Sequence, residues 1–201
     1  MSASALRQIA VAACLALSLA VTGRWDAAPK ATPDPRPAVT AAPAATAAFE
    51  AQVKEYLALH RKLEAQLPKL SKEAKPEDID KNQRALAALV QAARPNARQG
   101  EFFTPEMQAY LRQVFDRVFV GTDGKNMLGS IMDENPGVPA VLVANERYPD
   151  AVPLSTMPPE VLNVLPKLEE DMEYRFVGRR LVLFDSHAHL ILDFTDELLP
   201  G

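Results

Sequence analysis

The chain has 201 residues, of which 48% are hydrophobic and 24% are charged, with a formal net charge of −4 and one cysteine, Cys14. A mildly acidic chain has no broad attraction for phosphate backbones, so we expect no nucleic-acid partner. Cys14 lies in an N-terminal segment that we expect to be removed. Its loss would exclude disulfides, zinc–thiolate sites and cysteine nucleophiles from the mature chain.

Residues 1–28 have the composition of a secretory signal peptide. Arg7 precedes an apolar run over 9–21, and small residues follow it up to Ala28. A positive start, an apolar core of about 7–15 residues and a small-residue cleavage zone define such a signal, whereas a membrane-spanning helix needs about 20 apolar residues. We predict a periplasmic or secreted protein that has no membrane span after cleavage.

Proline and alanine dominate the next stretch, residues 29–47. It has no large apolar side chains to bury, so we predict a disordered tether. The remaining residues, 48–201, are enough for one domain with its own core.

The first half of this domain is predicted to be helical. Apolar residues recur from Phe49 at spacings of three, four and seven, which predicts an amphipathic helix that Pro68 ends. Pro76 near the first position and Pro95 beyond the end predict a second helix. Thr104 is the expected N-cap of a third helix.

The middle of the chain predicts shorter elements. The stretch "GTDGKN" is expected to interrupt the third helix before a short fourth helix over 127–132. The β-branched run "VPAVLVAN", residues 138–145, predicts a strand. The stretch "PPEVLNVLPKL", residues 158–168, predicts one short helix between prolines.

The stretch "MEYRFVGRRLVLFD", residues 172–185, predicts a β-hairpin. A two-residue turn at Gly178 and Arg179 places glycine first, as type II′ turns require. This turn pairs Val177 with Arg180, Phe176 with Leu181 and Tyr174 with Leu183. Alternation then puts five apolar side chains on one face, the inner face: Met172, Tyr174, Phe176, Leu181 and Leu183. Val177, Val182 and Phe184 fall on the opposite, outer face.

The next stretch, "FDSHAHLIL", allows two structures. In the first, the chain turns over 186–189, so that Asp185 pairs with Leu190, Leu183 with Leu192 and Leu181 with Phe194. In the second, 181–194 is one strand, with Asp185, His187, His189 and Asp193 on one face. We favour the turn because strands usually have about 5–6 residues, although "SHAH" lacks the usual turn residues.

The motif "FDSHAHL" resembles the opening motif of TatD-like and other amidohydrolase-fold hydrolases, and the resemblance implies a metal ion held by His187 and His189. In those enzymes a barrel of about 250 residues is built after the motif, whereas 12 residues follow His189 in this chain. We therefore do not carry the hydrolase role over. A metal site without a barrel leaves Asp185, His187 and His189 as candidate ligands, with His60 and Asp193 as outside candidates. His60 lies at the edge of the first helical stripe.

Most of residues 50–196 resembles a group of exported bacterial proteins that has no assigned activity. The resemblance is carried by "AARPNARQGEFFTPE", "YPDAVPLSTMPPEVLNVLPKL", "YRFVGRRLVLFD" and "LILDF". It implies export, a helical first half and a β-rich end, and it supplies no catalytic residue.

Together these patterns predict an α+β fold of three to four helices followed by a small antiparallel β-meander. The sequence indicates no catalytic residue, no cofactor and no assigned metal ligand. We expect an exported, non-catalytic binding or scaffolding module of the bacterial envelope, whose partner is an envelope protein or a small ligand. Such a scaffold would expose an apolar patch on the outer face. The alternative is a metal-binding protein or metallo-hydrolase that uses Asp185, His187 and His189.

Overall fold

The computed structural model describes residues 43–134 and 141–200. These residues form five helices and a three-stranded antiparallel sheet, which confirms the predicted α+β class. In chain order the elements are α1 (Pro43–Glu64), α2 (Pro76–Ala93), α3 (Pro105–Val118), α4 (Gly121–Asp133), α5 (Pro159–Leu162), β1 (Met172–Val177), β2 (Arg180–Asp185) and β3 (Leu190–Phe194).

The predicted signal peptide and tether residues 29–42 lie outside the described residues. Within the described part, none of the helices is both long enough and apolar enough to cross a bilayer. The last residues of the predicted tether belong to α1, because this helix begins at Pro43.

Proline and threonine define the helix starts as predicted. Pro76 is the first residue of α2, and the Thr104 side chain accepts a hydrogen bond from the Met107 N–H of α3 at 3.3 Å. The third helix ends at Val118, just before "GTDGKN", and a separate fourth helix follows as predicted, but that helix begins at Gly121 rather than at residue 127. The chain changes direction between α3 and α4 at Gly121, whose positive φ of 74° suits glycine.

The first hairpin has the predicted register. Val177 pairs with Arg180, Phe176 with Leu181 and Tyr174 with Leu183. Gly178 has a φ of 59°, as the first position of a type II′ turn requires. All five residues of the predicted inner face pack against the helices in one core.

A turn over residues 186–189 joins β2 to β3, so the single long strand is excluded. Asp185 pairs with Leu190 as predicted, but the other two predicted pairs were wrong. Leu183 pairs with Asp193 because a β-bulge shifts the register between Leu183 and Phe184. The bulge gives β3 one additional residue, and it places Phe194 in the outer cluster.

The outer face of the sheet is covered by residues 141–154, which we call the covering segment. Val177, Val182 and Phe184 are at most 2% exposed and form a second core with residues of this segment such as Leu142 and Tyr148. The predicted exposed patch was therefore wrong. The strand predicted over 138–145 is also wrong where it is described, from residue 141, because no strand forms there.

Candidate metal centre

The inner face of α1 carries a fully buried histidine. His60 continues the stripe of buried residues formed by Val53, Tyr56 and Leu57, and it has a relative exposure of 0%. The sequence placed this residue at the edge of the stripe. In the structure the turn between β2 and β3 lies against it, so the ring is enclosed between a helix and a loop.

One nitrogen of this ring is held by Asp185, the last residue of β2. His60 Nδ1 lies 2.8 Å from Asp185 Oδ2, and the Tyr56 hydroxyl donates to the same oxygen. Asp185 Oδ1 accepts the Ala188 N–H at 2.7 Å, which fixes the carboxylate within the turn. An ionised carboxylate is only an acceptor, so the neutral ring carries its proton on Nδ1 and has its lone pair on Nε2.

The other nitrogen, His60 Nε2, is buried and has no hydrogen-bond partner among the described residues. The Oε2 atom of Glu64, one helical turn along α1, lies 3.9 Å from His60 Nε2. A buried imidazole nitrogen without a partner is uncommon, since buried polar groups are nearly always satisfied. This atom is therefore available to bind a ligand.

His187 completes a three-residue cluster, which we call the His60/Glu64/His187 cluster. His187 Nδ1 lies 3.5 Å from Glu64 Oε1, and the two imidazole rings are 5.6 Å apart between centroids. One donor atom from each of the three residues lies within 4.8 Å of the other two. Two imidazoles and one carboxylate match zinc, which binds nitrogen and oxygen donors at about 2.0–2.2 Å.

The electrostatic surroundings of His60 favour positive charge. Burial alone would lower the pKa of His60, but the hydrogen bond to Asp185 and the charges of Asp185, Asp171 and Glu64 together raise it above its ordinary value. The same field that stabilises an imidazolium would stabilise a metal cation bound to Nε2.

A cleft of about 560 Å³ opens at the cluster. Glu64 and His187 line this cleft, whereas His60 lies behind them. The side chains of Glu64 and His187 are 44% and 34% exposed. An ion in this cluster would thus be reached from solvent through the cleft.

The structure separates the residues of the D-x-H-x-H motif. His187 belongs to the cluster, whereas Asp185 supports His60 from behind. His189 contacts Tyr148 and Phe184 of the outer core. His189 adopts a φ of 54°, and burial and the Arg147 charge lower its pKa. Within the described residues, Asp185, His187 and His189 thus do not form one set of ligands.

Asp193, the second outside candidate, has a structural role. Its buried carboxylate accepts the backbone N–H groups of Gly100, Phe102 and Phe103 at 2.7–2.8 Å, and also that of Phe194. This residue therefore fastens the loop before α3 to β3. Its oxygens are used by the backbone rather than directed at the cluster.

The sequence patterns did not identify Glu64 as a ligand, and they identified His60 only as an outside candidate. One signal was available, since His60 and Glu64 are separated by four residues on a helix and such pairs share a face. No local sequence pattern indicated that α1 packs against the turn at His187.

Comparisons with protein-family models, with curated proteins and with solved structures found no match for this chain. The resemblance to an exported bacterial group stays a prediction.

Proposed function

We propose that this protein binds one transition-metal ion of the zinc class through His60, Glu64 and His187. The observation that supports the proposal is the buried, unpartnered Nε2 of His60, directed toward two further donors. Metal-binding histidines almost always donate their other ring N–H to a carboxylate or carbonyl group. Asp185 supplies that carboxylate at 2.8 Å.

The donor set selects the class of metal. Calcium and magnesium take oxygen ligands almost exclusively, whereas imidazole suits zinc, copper, iron and nickel. The cluster has two nitrogens and one carboxylate and no thiolate. Zinc and nickel(II) are taken from this class for the test, together with cobalt(II), whose absorption reports on its ligands.

The proposal keeps part of each prediction made from the sequence. Export to the periplasm or outside the cell remains proposed on the strength of residues 1–28, and the binding role is non-catalytic. The metal site of the alternative prediction is retained, but with His60 and Glu64 in place of Asp185 and His189. A docking role for the outer face is not proposed, because the covering segment buries it.

Metal counting with two matched variants tests the proposal. The purified chain is incubated with zinc, cobalt(II) or nickel(II), freed of excess ion by dialysis and subjected to elemental analysis. We expect about one ion per chain, lost in His187→Ala and retained in His189→Asn. His187 is partly exposed, so its truncation leaves no large cavity. Asparagine tolerates the positive φ of residue 189.

The two histidine variants separate the two ligand sets. If the D-x-H-x-H motif were the site, both variants would lose the ion to the same extent, and the proposed set would be wrong. Failure of the unaltered chain to retain any of the three metals would overturn the proposal altogether. Circular dichroism of each variant checks that lost binding does not reflect lost folding.

A further inference from the structure

We infer that the bound ion keeps an open coordination position toward the cleft and that this position takes the carboxylate of a small organic acid with an apolar body. The inference rests on the proposed metal site and adds to it the class of ligand. It draws on three features of the described residues: the placement of the ligands, the charge of the cleft and the nature of its wall.

Two of the three proposed ligands are open to the cleft. His60 is fully buried, whereas Glu64 and His187 line the cleft and are partly exposed. Zinc sites with three protein ligands typically hold water or substrate in a fourth position. A fourth ligand of this site would therefore enter from the cleft.

One lysine brings positive charge to the lining of the cleft. A bound dication would be offset by the nearby carboxylates of Glu64, Asp185 and Asp171, so Lys69 supplies the positive charge that an anion at the lining would meet. Lys69 is exposed and has no ion pair within residues 43–134 and 141–200. Arg61, also in the lining, is already paired with Glu169. A single ammonium group in the lining, with the only lining arginine already paired, matches the single charge of a carboxylate.

The wall of the cleft is partly apolar. Leu67, Pro68 and Leu70 line it, and Leu70 is 42% exposed. A volume of about 560 Å³ lies within the range of small-molecule sites, which is about 300–1,000 Å³. A carboxylate at the metal would place an attached alkyl or aromatic body against these side chains. Such a carboxylate could belong to a free acid or to the C-terminus of a peptide.

Cobalt(II) absorption provides the test, because the d–d bands of this ion change when a new ligand coordinates. The cobalt-loaded chain is titrated with acetate, butanoate, hexanoate and the peptide acetyl-Leu-Leu, with chloride as the control anion. We expect a saturable spectral change for the carboxylates. The affinity should rise by about fourfold for each added CH₂ group that is buried. Tighter binding of hexanoate or of the peptide would identify the source of the carboxylate.

Two variants assign the contributions of the cleft. Lys69→Met should lower the affinity for every carboxylate by a similar factor, because it removes a positive charge. Leu70→Ser should instead reduce the rise of affinity with the chain length of the acid, and it should leave the affinity for acetate unchanged. Neither residue is a metal ligand, so both variants should still bind one cobalt ion per chain.

The outcomes distinguish this inference from the metal site itself. A chain that binds one cobalt ion but shows no spectral response to any carboxylate would overturn the inference and leave the metal site intact. An equal response to all chain lengths would refute the apolar body. If the chain binds no cobalt, both the inference and the proposed function fail.

Discussion

A single buried carboxylate organises the candidate site. Asp185 holds the His60 ring with one oxygen and the Ala188 N–H with the other. His60 of α1 and Ala188 of the turn are thereby fixed relative to each other. The lone pair of His60 Nε2 then lies near the other two donors, Glu64 and His187. The proposed metal binding depends on which nitrogen of the His60 ring carries the proton.

Replacing Asp185 with asparagine should weaken zinc binding by about ten- to a hundredfold. The Ala188 N–H requires an oxygen at Oδ1, so the amide NH₂ would face His60 Nδ1. The ring would then accept at Nδ1 and carry its proton on Nε2, which blocks the metal. Competition with a chromophoric chelator measures the affinity.

Asp193→Asn is the matched control for this variant. Asp193 is also a fully buried aspartate of the sheet, but its oxygens bind backbone N–H groups remote from the cluster. The change should lower the free energy of unfolding by about 1–3 kcal/mol and leave zinc affinity unchanged. Equal losses of affinity in the two variants would contradict the role assigned to Asp185.

At the scale of elements, α1 and the β2–β3 turn meet to make the site. The helix supplies His60 and Glu64 on one face, since residues four apart lie one turn from each other. The turn supplies His187, while its last residue, His189, leaves in the left-handed region toward the outer core. A β-bulge in β3 places Asp193 beside the loop before α3.

The two glycines of α4 give a prediction about how helices pack. A Cβ at Gly124 would lie 2.3 Å from the backbone carbon of Phe119, whereas a Cβ at Gly129 would meet nothing within 4 Å. Gly124→Ala should lower the free energy of unfolding by about 1–3 kcal/mol through overpacking. Gly129→Ala should raise it by about 0.5–1 kcal/mol, because alanine favours helix.

Urea denaturation of both glycine variants measures these effects. If Gly124→Ala were as stable as Gly129→Ala, the close approach of α4 to Phe119 would be refuted.

For the whole molecule, the sheet is buried on both faces. The helices cover the inner face and the covering segment covers the outer face, so two cores share three strands. A metal ion in the cluster would link α1 to the β2–β3 turn, which begins directly after Asp185, 125 residues beyond His60. Such a link stabilises the fold as a unit.

Zinc should therefore raise the melting temperature. An ion that binds only the folded state stabilises by about 2.7 kcal/mol at a concentration of 100 Kd, which corresponds to about 5–10 °C for a domain of this size. Differential scanning calorimetry measures the shift. His187→Ala should abolish it, and acidification should reduce it, because the ligands must lose their protons to bind.

An equal zinc-induced shift in His187→Ala would show that the stabilisation comes from another site. A chelator added to the zinc-loaded chain should restore the original melting temperature.

Local sequence patterns predicted much of the fold but only part of the site. The turn at Gly178 and the N-cap at Thr104 depend on neighbouring residues, and both were confirmed. The β-bulge and the burial of the outer face depend on segments that are remote in sequence, and both were missed. His187 was identified as a candidate ligand, whereas His60 was only an outside candidate and Glu64 was missed, because no local sequence pattern shows which helix packs against which turn.

The sequence by itself determined the α+β class, the starts of α2 and α3, the first hairpin and the presence of a turn at residues 186–189. Each of these follows from backbone preferences and side-chain periodicity over a few residues. Only the tertiary structure decided that His60, Glu64 and His187 converge and that His189 does not. Convergence is set by the packing of α1 against the sheet and by the positive φ of His189, and both arise from contacts between distant parts of the chain.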